Sequence, residues 1–104
     1  MVLDLNLVVL AGRLAAPPEI RRFESGTRLG RFLVAVRCGG RVDVLPVTLW
    51  DPPSRLLDAE CVPGTPVWTA GSVQRRFWSG DEGRRSRIEV IADEVCLPQA
   101  REAT

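Results

Sequence analysis

The chain has no lysine and no histidine; its 14 basic residues, in a length of 104, are all arginine. Without histidine the commonest general base and metal ligand is missing, and no nucleophile stands beside a base in any familiar arrangement. There is no glycine-rich phosphate loop and no carboxylate pair spaced for acid–base work, so an enzyme is not expected. Cysteine is scarce: Cys38, Cys61 and Cys96 are odd in number, far apart and outside any CxxC pair, which argues against a disulfide framework and a zinc site. They read as buried free thiols. Long apolar runs are lacking too. The longest, Leu7 to Gly12, falls far short of the ~20 residues that cross a bilayer, and Asp4 stands where a secretory leader is basic, so a cytoplasmic location is expected. No metal and no cofactor is expected.

What is present fits one ordinary globular domain, with 45% hydrophobic and 26% charged residues. The net charge of +1 gives no prior for nucleic acid, but its distribution does. Arg21, Arg22, Arg28, Arg31, Arg37 and Arg41 share a segment whose only acid is Glu24. Arg75, Arg76, Arg84, Arg85 and Arg87 form a second group, while acids gather at Asp51, Asp58, Glu60 and from Glu89 onward. A near-neutral chain of this kind can carry a basic face.

Alternation of apolar residues predicts strands over Leu5–Ala16, Leu29–Arg37, Val42–Trp50, Pro66–Trp78 and Arg85–Leu97. Pro17-Pro18 ends the first, and Glu19–Phe23 reads as its extension or as a short separate piece. Phe32, Val34 and Val36 share one face, as do Leu45, Val47 and Leu49; Ile88, Val90 and Ala92 alternate against Glu89, Ile91 and Asp93. Gly39-Gly40 marks a hairpin. Pro52-Pro53-Ser54 followed by Arg55–Glu60 reads as a short helix, stopped by Pro63-Gly64. Five strands with one helix between the third and fourth, and no strand–helix alternation, predict an all-β, five-stranded OB-fold barrel with long hairpins over residues 1–97. Residues 98–104 read as a short disordered tail.

The stretch QRRFWSGDEGRRSR, Gln74 to Arg87, sets adjacent aromatics between arginines around a turn. Guanidinium groups hold phosphates and aromatic rings stack on unpaired bases, both without regard to base identity. Alternation sends one of Phe77 and Trp78 inward; Phe77 reads as the packed ring and Trp78, two residues from Arg76, as the binding one. The same parity puts Trp50 opposite Leu45, Val47 and Leu49, on an outer surface where a bare ring needs a ligand to cover it. Trp68, at the start of a core-like strand, reads as packing.

In order and spacing, LNLVVLAGRLAAPPEIRRFESGT, RLGRFLVAV, DVLPVTLW, PGTPVWTAGSVQRRFW and RIEVIADEV resemble the bacterial single-stranded DNA-binding protein family over nearly the whole chain. The resemblance implies sequence-independent binding and protection of single-stranded DNA during replication, recombination and repair, by a homotetramer built as a dimer of dimers, with a dimer as the smaller possibility. It matches Trp50 and Trp78 to base-stacking aromatics, Phe23 to an aromatic near the strand path, and Arg76 to a basic position. Arg22, Arg31, Arg37, Arg75, Arg84 and Arg85 complete the expected phosphate-contacting set. Two departures reduce stacking capacity: Val44 stands where the family has a tryptophan, and the Gly39-Gly40 hairpin is short. The family's acidic, partner-recruiting tip is expected to be absent, since the sequence ends Arg101-Glu-Ala-Thr104. Two alternatives stay open. One is a dimeric, tailless primosome-type OB protein of replication restart; the other is a protein-interaction OB module whose edge strand pairs with another chain. Were partners recruited without the tip, the acids at Glu89, Asp93 and Glu94 would be the docking surface.

Overall fold

Apolar side chains two residues apart on the central strands build the core. In the computed structural model, which describes residues 3–57 and 61–97, Phe32 and Val34 on one strand and Val47 and Leu49 on the next point inward, joined by Leu14, Val67, Val90, Ala92, Val95 and Leu97. Burying a ring or branched aliphatic of this size contributes about 1.5–3 kcal/mol each. The elements are β1 (Val8–Leu14), β2 (Glu19–Arg22), β3 (Arg28–Cys38), β4 (Arg41–Trp50), α1 (Ser54–Leu57), β5 (Pro66–Gly80) and β6 (Gly83–Cys96). Residues 58–60, the rest of the expected helix, and the expected tail 98–104 lie outside the described residues.

The sheet runs β1-β5-β6-β4-β3-β2, and β1 also pairs with β3 through Arg13↔Ala35 and Leu14↔Val34. That second pairing closes β1, β3, β4, β5 and β6 into the expected OB-type all-β barrel, with β2 laid along the outer edge of β3. β2 is thus a separate strand, because Pro17-Pro18 offer no amide donors to carry β1 onward. The seam between β4 and β6 is parallel and has two rungs, Val47↔Val90 and Thr48↔Ile91. Pro46 sits just before that seam and costs no bond to β6. α1 contributes buried Leu56 to the core.

β5 and β6 run well past the barrel. From Val73↔Val90 they continue as a two-stranded ribbon to Gly80↔Gly83, about 23 Å at 3.3 Å per residue, exposed on both sides from Val73 to Ile88. The radius of gyration, 15.1 Å, exceeds the roughly 13 Å of a compact domain this long. The turn is the tight pair Asp81-Glu82, and it closes because Gly83 takes φ 104°. Between Ala70↔Glu94 and Gly71↔Ala92 the register skips Asp93, a bulge that bends β6 where the ribbon leaves the barrel; a Cβ on Gly71 would collide with the Ile91 carbonyl.

Several expectations are corrected. Phe77 does not face inward, because the ribbon has no inside, and Ile88 is exposed for the same reason. Trp68 lies across from Ala11 and Cys96 and is 39% exposed rather than packed. Glu89, expected among the surface acids, is 3% exposed and no docking acid, whereas Asp93 and Glu94 are exposed. Of the thiols Cys61 is buried, Cys96 is partly covered and Cys38, beside the Gly39-Gly40 turn, is exposed. Burial pushes the Cys61 thiol above its ordinary pKa, so it stays protonated.

Candidate nucleic-acid interface

The predicted residues divide into separate groups on the outer surface. At the end of β4, Trp50 and Phe23 stack with ring centroids 6.0 Å apart at 28°. Phe23 is placed by the turn after β2, where its amide donates to Thr27 O and its carbonyl accepts from Gly26 N. The rungs Arg21↔Leu29 and Leu29↔Trp50 put Arg21 in the same row as Trp50, and Glu19↔Arg31 forms the next. Arg21, Arg31, Glu19 and Leu29 line a shallow groove there. Arg22 pairs with Arg28 one rung away, so its side chain leaves on the opposite face from Arg21. On its other flank Trp50 borders a groove with Asp51, Arg55, Asp93 and Glu94. Arginines therefore lie towards the β2 side of Trp50, while on the other flank Arg55 stands among acids.

The second group rides on the ribbon. Arg76, Phe77, Trp78 and Arg87 line one groove of about 350 Å³. The Arg87 guanidinium lies 6.0 Å from the Trp78 ring centre, and that of Arg84 lies 4.7 Å over Phe77. Such contacts hold a flat face ready at low entropic cost. Arg75 donates to Ser86 Oγ at 3.1 Å, and Arg85 pairs with Glu82 at the tip. Arg76 approaches the buried Glu89 carboxylate at 3.6 Å, and Thr48 Oγ1 donates to that carboxylate at 3.4 Å.

Arg37 belongs to neither group. It faces Val42 across the β3–β4 hairpin and lines a groove with Arg13, Ala11 and Ala35. Val44, opposite Ala35, is exposed and offers no ring. Trp50 and Trp78 do not share a site. Continuing the β4–β6 register sets Trp50 level with Asp93, whereas Trp78 faces Arg85, eight residues and about 26 Å of strand further along β6 at 3.3 Å per residue. Sequence reasoning missed Phe77, Arg21, Arg13 and Arg87 as surface partners. Alternation from Trp50 through β3 to β2 would have found Arg21, once the register of β2 was known.

A closed OB-type barrel with exposed rings among arginines on its outer face defines a class of nucleic-acid-binding domain. Residues 5–98 match the single-strand binding protein family. The chain belongs to that family, one of binding proteins rather than enzymes. It is 32% identical over 99 residues to a single-stranded DNA-binding protein of Oceanobacillus iheyensis, covering 88% of this chain and 62% of that protein. It is 29% identical over 102 residues to one from Treponema pallidum, covering 90% and 58%. Against single-stranded DNA-binding protein B of Bacillus subtilis the identity is 30% over 107 residues, covering 93% and 95%. The chain thus spans about three fifths of the first two relatives and nearly all of the third.

Proposed function

We propose that this chain binds single-stranded DNA without reading base identity and shields it during replication, recombination and repair, within the cytoplasm at the nucleoid. The observation that carries this reading is the pair of half-exposed tryptophans, Trp50 with Arg55 lining the same groove and Arg21 in its row, and Trp78 with the Arg87 guanidinium beside it. Family membership supports it. Each phosphate neutralised releases condensed counterion, so binding falls with salt at a slope of about −0.7 per contact for single strands. Titration with poly-dT, followed by tryptophan quenching at two salt concentrations, is expected to show steep weakening and little competition from duplex. Salt-independent binding, or equal competition by duplex, overturns the reading.

We further propose that the working unit is a symmetric dimer or a dimer of dimers. Asn6 clamps the segment before β1 against β5, its amide group donating to Val73 O at 2.7 Å and accepting from Val73 N at 2.8 Å. So held, Leu3, Leu5, Leu7 and Val9 stay exposed as an apolar row that a second copy would cover. Sedimentation velocity at micromolar concentration is expected to give a dimer or tetramer. A monomer rules this out.

A further inference from the structure

Glu89 is the one buried charged side chain among the described residues, and it contacts Arg76, which lines the ribbon groove. On β6 it is one step below Arg87; across the ladder Arg76↔Arg87 and Gln74↔Glu89 are successive rungs on the same face. Two arginines therefore confront each other directly, a pairing that like charge disfavours. The Glu89 carboxylate sits next to that pair, 3.6 Å from Arg76. Thr48, itself buried, supplies its hydrogen bond from β4. Desolvating a carboxylate costs several kcal/mol unless a cation compensates it, which ties Arg76 to Glu89 while leaving Arg76 half-exposed towards the groove.

We propose that Glu89 is a resident competitor for Arg76: a buried carboxylate occupying the place a DNA phosphate would take, so that the Arg76–Arg87 pair presents one positive charge to a strand instead of two. This rests on the strand-binding reading above. Glu89 then sets affinity without touching DNA, and the Trp78 groove holds a strand more by stacking than by phosphate contact.

The test is the salt dependence of poly-dT binding by the full chain, with thermal melting as the check on folding. Glu89→Gln keeps the shape and frees one charge. Its log–log slope is expected to steepen by about 0.7, so that its advantage over wild type grows about fivefold for each tenfold dilution of salt. The double variant Glu89→Gln with Arg76→Gln is expected to return to the wild-type slope. If Glu89 served to hold Arg76 in position for DNA, Glu89→Gln would weaken binding, and the double variant would bind with a slope flatter than wild type by the same amount. Either result overturns the proposal, and the double variant decides alone if Glu89→Gln shows no melting transition. Wild type that binds no DNA at any salt overturns the strand-binding reading itself. Wild type that binds while Glu89→Gln keeps its slope overturns only the role of Glu89.

Discussion

Asp51 aims Trp50. It takes φ 48°, a left-handed conformation that aspartate tolerates better than other residues with a Cβ, and its amide and carboxylate both bond the Arg28 backbone, at 2.8 and 3.1 Å. The chain thus turns sharply just past the ring, leaving Trp50 against Phe23 with its other surface open. Base stacking in proteins of this kind is worth about 1–3 kcal/mol per ring. Trp50→Ala and Trp78→Ala are each expected to weaken poly-dT binding by that order while keeping the melting transition, read by titration and by circular dichroism. Loss of the transition instead would mark the ring as part of the core. The outward placement of Trp50 and Trp78 was legible because alternation fixes which side of a strand a residue takes. Alternation is silent on whether that side is covered. Phe77, Trp68 and Ile88 were misjudged for this reason, and Glu89 in the opposite sense, since a side chain on the outer face of β6 is nonetheless enclosed by Thr48 and Arg76.

At the level of elements, the strands, the short helix and their order were readable from the sequence, because Pro17-Pro18, Gly39-Gly40 and Pro63-Gly64 punctuate clear apolar patterns. The length of the β5–β6 ribbon was less so, as Ser79 and Gly80 look like turn residues yet still pair with Arg84 and Gly83. The bulge at Asp93, opposite Ala70 and Gly71, had no signal beyond a lone glycine, although it governs how the ribbon leaves the barrel. Gly71→Ala would drive a Cβ into the backbone of Ile91 and Ala92, which cannot move as a flexible side chain would. Overpacking of this sort costs about 1–3 kcal/mol. The variant is expected to melt lower by roughly 4–8 °C per kcal/mol. Its rings and arginines remain, so any loss of DNA affinity reports the direction of the ribbon and not its chemistry.

On the scale of the whole molecule, the barrel behaves as a rigid spacer carrying two contact groups, one fixed at the end of β4 and the other on the ribbon. On the strand-binding proposal, the path of about 26 Å along β6 between them would make each copy of the chain bivalent towards a strand. At the 3.4 Å rise of stacked bases in a duplex strand, about eight bases cover that distance, and a more extended strand needs fewer. Once one group is engaged, the other meets the same strand at an effective concentration in the millimolar range. An oligonucleotide of three or four bases is expected to quench one tryptophan at a time with weak affinity, whereas one of ten or more engages both. A plot of affinity against length should then show a step where avidity sets in. Trp78→Ala removes the second foothold and is expected to flatten that step while sparing the affinity for the shortest strands that reach Trp50. If the step appears, the ribbon's reach past the barrel is in this sense a ruler, setting the length of single strand the molecule would register by the spacing of its two rings.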